Sequence, residues 1–301
     1  MARKLNKIVL LILKLAVSSG LLYLVLSKAG AEKVLAIITT INPAAFIFSI
    51  LLYLVSLYVS TMRWRLLLPV EFRKKKLLSF YMIGSFFSTF LPGVIGGDAV
   101  KGYYLYKETN NGSLSLASVF MDRYIGFVSL MIMGLIAYIA GFNYLKGSII
   151  EWLLPAIILA FVIGNLVIFG LRFGKRMKRL AEFYAYFDKY RNHKTMIAKT
   201  LFLSFIVQII NIISIYIITL GLGQHISLVY FFIFFPIITT ISTLPISISG
   251  LGLRESSFVL LFGLPQIGIK PEMATAMSFA WFLSTAFGGL CGLFEYLRLK
   301  R

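Results

Sequence analysis

Cysteine is almost missing from this chain: Cys291 stands alone, which excludes a disulfide scaffold. Histidine is nearly as scarce, with His193 and His225 in different connecting segments, so no histidine-based metal site is visible. There is no phosphate-loop signature, so nothing points to ATP as a driving force. Charge is thin at 14% of residues, where a soluble domain carries about 25%. Acidic residues are the scarcest of these, 11 against 30 Lys and Arg. Disorder is excluded by the opposite excess, since 59% of the 301 residues are hydrophobic.

What fills the chain is apolar sequence in long runs, with a mean hydropathy of +0.89. This composition describes an all-α integral membrane protein with almost no room for a soluble domain. The net charge of +19 would suggest nucleic acid in a soluble protein. Here the basic residues lie between apolar runs, so they read as membrane orientation and contact with anionic headgroups, with no nucleic-acid partner.

The charge-free runs are Leu15–Leu26, Val34–Met62, Leu77–Gly97, Tyr124–Leu145, Trp152–Leu171, Thr200–Leu253, Ser256–Ile269 and Met273–Phe294. About 20 apolar residues cross the hydrocarbon as a helix. The run from Thr200 is long enough to turn, and Gly221-Leu-Gly-Gln-His225 supplies the turn. The amino terminus has some features of a secretory signal, but Lys14 interrupts its apolar core and a retained first helix is expected.

Two segments are not ordinary spans. One is broken at Leu91-Pro-Gly-Val-Ile-Gly-Gly-Asp98, the other at Leu244-Pro-Ile-Ser-Ile-Ser-Gly-Leu-Gly-Leu-Arg-Glu255, and each return arm is too short to cross. Broken backbone is tolerated at membrane depth only inside protein or beside a wet cavity, so both read as re-entrant helical hairpins. With six full spans and two such hairpins, 24 of the 30 basic residues fall on one side. A crossing first hairpin would put the basic segment 172–199 outside, against the positive-inside rule. Eight ordinary spans are the alternative. The six-span arrangement places the chain in the plasma membrane with both termini cytoplasmic. It also makes 1–145 and 150–301 two pseudo-repeats within one membrane domain. Each runs span, span, hairpin, span, with opposite topology, so the hairpin tips can meet near the midplane.

The tips carry the charges that invite a function. Asp98 and Lys101 share a helical face directly after Gly96 and Gly97, with Pro92 and Gly93 in the break. The helix starting there aims free N–H groups at the tip, an arrangement that suits phosphate. A headgroup site and a structural Asp98–Lys101 pair are both open. At the second tip Pro245, Ser249, Gly250 and Gly252 precede Arg254 and Glu255. Arg254 can fork onto a phosphate or lock onto a carboxylate such as Asp98 or Asp122. Asp122 and Arg123 open the following span and, as neighbours, face different partners; interfacial anchoring is the plainer account. Glu295 reads as a snorkelling surface charge. Gly288 and Gly292 form a small-residue face for close helix packing. The segment 172–199 has the pattern of a basic amphipathic helix or a simple connector.

At Pro92-Gly-Val-Ile-Gly-Gly-Asp-Ala-Val-Lys-Gly-Tyr103, at Ile246-Ser-Ile-Ser-Gly-Leu-Gly-Leu-Arg-Glu255 and at Asp122-Arg123, the sequence resembles the lysylphosphatidylglycerol synthase transmembrane family, a flippase-like membrane portion also found as a stand-alone protein. The likeness covers essentially the whole chain. Lys101 stands where arginine is more often expected. Aminoacylating relatives carry a further soluble synthase domain, and the 301 residues hold no segment for it, so the resemblance does not imply aminoacyl transfer. It implies lipid translocation, or service to a lipid-linked pathway such as polyprenyl-phosphate sugar, aminoacyl-phospholipid or hopanoid handling. The leading expectation is therefore a non-enzymatic translocase for a charged or phosphate-bearing lipid, with no cofactor and no metal. Asp98, Lys101, Arg254 and Glu255 would meet the headgroup. An enzyme or accessory subunit using Asp98 or Glu255 as base, and a membrane scaffold for a partner synthase, are the rivals. Self-association is compatible with each.

Overall fold

The computed structural model describes residues 2–69, 71–90, 96–148, 150–167, 193–244 and 246–300. Helix is the only regular structure among them. The elements are α1 (Ala2–Ala29), α2 (Ala31–Thr39), α3 (Pro43–Leu66), α4 (Lys74–Phe90), α5 (Gly96–Thr109), α6 (Gly112–Ala140), α7 (Phe142–Leu145), α8 (Ile150–Asn165), α9 (Lys194–Gly221), α10 (Leu228–Ser242), α11 (Leu253–Phe262) and α12 (Pro271–Lys300). By length and composition α3, α6, α9 and α12 can each cross a membrane, and shorter apolar helices accompany them. The chain is a polytopic helical membrane protein.

Local chemistry moves two boundaries away from the hydropathy runs. The run Val34–Met62 is two helices, because the Asn42 side chain accepts from the backbone N–H of Ala44 and Ala45 and Pro43 occupies the first helical position. The span expected to open at Asp122 instead begins at Gly112, capped by Asn111 Oδ1, which accepts from the N–H of Leu114. Asp122 and Arg123 therefore lie well inside α6. The basic segment 172–192, Pro92, Gly93 and Pro245 lie outside the described residues.

The scaffold is an antiparallel pair. Asn42 N–H donates to Gly221 O at one end of α3 and α9, Ser49 Oγ meets Ser214 Oγ at 2.8 Å in the middle, and Arg63 reaches Ser204 at the other end. Ser49 also bonds Ser284 of α12 at 2.8 Å, so three spans share one buried serine node. Small polar residues of this kind hold helices together where lipid gives no hydrophobic drive.

On this scaffold sit two helix–break–helix units. In the first, α4 and α5 approach so closely that a Cβ on Gly97 would stand 1.9 Å from Gly84 O and 2.0 Å from Ser88 Oγ. What approaches Gly97 is α4, the other arm of its own helix–break–helix unit. In the second, α10 and α11 interlock through Phe231, Phe234 and Phe262. The turn between them needs Ser249, Gly250 and Gly252 in the left-handed region, at φ of 50°, 74° and 82°. The two units meet: Ser249 Oγ donates to Ser88 O at 3.2 Å, and Ile248 N–H donates to Ser18 Oγ of α1 at 2.7 Å.

Their seating is exchanged. The first arm of the first unit, α4, packs on α12, where a Cβ on Gly292 would stand 2.0 Å from Met82 O. The first arm of the second, α10, packs on α6, with Pro236 against Gly134. The glycine face of α12 is thus spent on α4 and, through Gly288, on the Tyr53 ring of α3.

Candidate functional site

Asp122 is the centre around which four helices close. It is 1% exposed, and its carboxylate accepts from Arg63 Nε of α3 at 2.8 Å, from Lys101 Nζ of α5 at 2.9 Å, and from Tyr81 OH of α4 at 3.1 Å. Burying one carboxylate with two cations is tolerable because each cation has further partners. Arg63 Nη1 donates to Ser204 Oγ of α9 at 3.1 Å, in space left by Gly126, where a Cβ would stand 3.0 Å from that nitrogen. Lys101 Nζ lies 3.7 Å from Asp98 Oδ1 and over the rings of Tyr81 and Trp64, at 4.3 and 4.8 Å from their centroids.

Arg123, one residue on, points elsewhere, as adjacency on a helix requires. Its Nε donates to Asp98 Oδ2 at 2.6 Å, and its side chain is 47% exposed against 19% for Asp98. These groups line a cavity of about 540 Å³ between α3, α4, α5, α6, α9 and α10. Three cations, Arg63, Lys101 and Arg123, face two carboxylates, Asp98 and Asp122, so the cavity carries one net positive charge. Arg123 is the accessible member. Lys101 is enclosed by two carboxylates and two rings.

The expected Asp98–Lys101 pair is present, as one edge of a larger network. The charges of the second tip lie apart from this cavity. Arg254 and Glu255 do not line the cavity, and Arg254 makes no bond to Asp98 or Asp122. Arg254 donates through Nε and Nη2 to Oε1 of its neighbour Glu255, at 3.0 and 2.7 Å, and its guanidinium lies over the Phe282 ring. Ser278 Oγ donates to the same oxygen at 3.0 Å, and Gly252 N–H donates to Glu255 Oε2 at 2.7 Å. That set ties the start of α11 to α12 and leaves Arg254 7% exposed and Glu255 fully buried.

Asp122 is not an interfacial anchor, because α6 starts ten residues earlier and carries it into the protein. Glu295 is partly enclosed, accepting from Ser79 Oγ at 2.7 Å as well as from Arg298 at 3.1 Å. Arg63, Tyr81 and Ser204 escape a reading that counts Arg63 only as a loop charge. The signal for Arg63 is a stripe on α3, where Ser49, Ser56, Ser60 and Arg63 recur on one face of an otherwise apolar helix. Among the described residues no group of three His, Cys, Asp or Glu could hold a metal ion.

With this architecture in view, comparison with known proteins is decisive for kinship. The family model described as the lysylphosphatidylglycerol synthase TM region matches residues 11–292. The chain belongs to this family. Within the lysylphosphatidylglycerol synthase TM family it is similar to UPF0104 membrane proteins of three archaea. The protein MJ1595 of Methanocaldococcus jannaschii is 21% identical over 286 residues, covering 84% of each chain. PH1989 of Pyrococcus horikoshii is 21% identical over 312 residues, covering 90% of this chain and 92% of its own. A third, from Methanothermobacter thermautotrophicus, is 21% identical over 269 residues, covering 78% of this chain and 79% of the relative. The chain is a multi-pass membrane protein of this family, and its charged network lies within the matched segment.

Proposed function

We propose that the chain moves a phosphate-bearing lipid between the leaflets of the plasma membrane, with the cavity as the headgroup's station. The observation that carries this reading is the electrostatic design of the cavity: one net positive charge within a bundle of apolar helices, with its most accessible cation, Arg123, held by a single carboxylate. A buried charge excess in a membrane protein marks a ligand or a pathway. A phosphodiester headgroup neutralises it. Arg123 exchanges Asp98 for the phosphate, and the planar guanidinium suits that partner better than an ammonium does. Asp122 and Lys101 set the field and hold α3, α4, α5 and α6 around it. Arg254 and Glu255 act on the lipid indirectly, by fixing the second hairpin.

The transport route follows from topology in the same reading. Residues 1–145 and 150–301 are taken as inverted repeats with two re-entrant hairpins, supported by the antiparallel α3–α9 pair, the exchanged seating of the hairpins and their contact at Ser88 and Ser249. Cytoplasmic termini are supported by the one-sided distribution of basic residues.

Liposome reconstitution tests the proposal. Vesicles holding the purified protein and a fluorescent phosphatidylglycerol are bleached from outside with dithionite. Bleaching beyond the outer-leaflet share supports translocation. Arg123→Gln should slow it roughly tenfold or more, the size of a charge-assisted hydrogen bond, and the exposed Lys146→Gln should not. Bleaching equal to that of protein-free vesicles refutes the proposal.

A further inference from the structure

The break in the second helix–break–helix unit holds polar atoms that no protein group meets. Thr239 Oγ1 and Ser242 Oγ of α10, and Ser247 Oγ of the turn that follows, are buried and unpartnered among the described residues. The ordinary course for a hydroxyl in an apolar helix is a bond to the carbonyl one turn back. Their neighbours take it: Thr240 Oγ1 donates to Pro236 O at 2.7 Å, and Thr243 Oγ1 to Thr240 O at 2.9 Å. Thr239 and Ser242 forgo that bond and, three residues apart, share a face of α10. The turn folds back onto Ser242, where a Cβ on Gly250 would stand 2.9 Å from Ser242 O and 3.1 Å from its Cβ. Ser247, three residues before Gly250 in that turn, is fully buried.

Buried hydroxyls left unmade are costly, and three on one short stretch point to a ligand that meets them. They gather at the C-terminal end of α10, where the helix dipole is negative and Ser242 O makes no hydrogen bond among the described residues. Across the break the start of α11 is already satisfied, because Glu255 accepts from Gly252 N–H, so nothing there calls for an anion. Neutral hydroxyl and carbonyl oxygens are hard donors that suit an alkali or alkaline-earth cation and not a transition metal. Glu255 is engaged by Arg254, Ser278 and Gly252, so a divalent ion would find no carboxylate to offset its charge. Broken helices in membranes hold Na⁺ in this way, on unwound carbonyls and the C-terminal ends of half-helices. The close seat of Gly250 against Ser242 favours the smaller of the common alkali ions. Thr239 and Thr243 both border the cavity, which gives the ion a way in. The cavity's excess positive charge opposes entry and limits the affinity to the millimolar range.

We infer that the break between α10 and α11 is a sodium site, with Thr239 Oγ1, Ser242 Oγ, Ser247 Oγ and Ser242 O as its ligands. The site ties the end of α10 to the turn that carries Ser249 onto Ser88. It requires no lipid, so it stands or falls apart from the headgroup reading.

Binding of radioactive Na⁺ to the purified full-length protein, measured by scintillation proximity in choline chloride at constant ionic strength, tests it. Wild type should bind saturably, with displacement by unlabelled Na⁺ at lower concentration than by K⁺ and none by extra choline. Thr239→Val, Ser242→Ala and Ser247→Ala should each weaken binding roughly tenfold, the size of one lost ligand. Thr240→Val, whose hydroxyl is spent on Pro236 O, should leave it unchanged. Absence of saturable binding to the wild type, the result if ordered water alone fills the cluster, overturns the inference. So does displacement by K⁺ as readily as by Na⁺, or by Ca²⁺ at far lower concentration than either. Equal weakening by Thr240→Val and Thr239→Val overturns the assigned ligands. The wild-type measurements decide the matter even if a variant fails to fold.

Discussion

Replacing Asp122 by asparagine keeps the side chain's shape and removes its charge, which strands two buried cations at once. Arg63 would keep Ser204 and no charged partner in this network, and Lys101 would keep Asp98 at 3.7 Å and its two ring faces, with only a neutral amide oxygen in place of the carboxylate. Breaking a buried ion pair by removing one partner costs about 3–5 kcal/mol, because the remaining charge is left uncompensated. Asp122 serves two such pairs at 2.8 and 2.9 Å, so Asp122→Asn should lie at the upper end of that range. Unfolding of the purified protein in mixed micelles, titrated with denaturing detergent and followed by tryptophan fluorescence, measures it. Trp64 is fully buried and borders Lys101, so it reports on this region. Adding Arg63→Gln should restore part of the loss by removing one stranded charge, with a coupling energy of about 2 kcal/mol in the double-mutant cycle. Loss below about 1 kcal/mol for Asp122→Asn, or strict additivity with Arg63→Gln, would refute the view that Asp122 organises the site.

Further outcomes follow from other contacts. Gly97→Ala should destabilise by about 1–3 kcal/mol or more, since its Cβ would overlap Gly84 O and Ser88 Oγ. Gly164→Ala, in α8 with open space around it, should be neutral or mildly stabilising in the same assay. Ser49→Ala removes the node joining α3, α9 and α12 and should cost about 1 kcal/mol. In a Cys291→Ser background, the pair Ser88→Cys and Ser249→Cys should cross-link on oxidation, seen as a protease-resistant link between the two halves on a gel; failure to link would contradict contact between the hairpin units.

Much of the helical plan was legible because apolar length and Pro/Gly breaks act locally. The breaks after Leu91 and Leu244, and the turn at Gly221–His225, each fall between helices. Boundaries set by side-chain capping were less so: Asn42 and Asn111 each move a helix start away from the hydropathy edge. The site was half visible. Asp98, Lys101, Asp122 and Arg123 do come together, as charges placed at intramembrane positions tend to. Arg63 was hidden because it ends an apolar run beside Arg65, where a loop charge and a buried ligand look alike; only tertiary packing, which leaves it 5% exposed, separates them. The pairing of Arg254 with Glu255 was not legible either. Adjacent residues on a helix seldom pair, yet a fork onto Glu255 Oε1 forms here because Ser278 and the Gly252 N–H fix that carboxylate.

Opening of the Asp98–Arg123 contact is the step on which the transport account depends, and it can be blocked reversibly. In a Cys291→Ser background, Asp98→Cys and Arg123→Cys are bridged in reconstituted vesicles by a short bis-methanethiosulfonate reagent, and the link is later cut with dithiothreitol. Whatever rate the double variant retains should vanish on bridging and return on reduction. A rate above that of protein-free vesicles that stays the same before bridging, with the bridge in place and after its release would contradict the cavity as the headgroup's route.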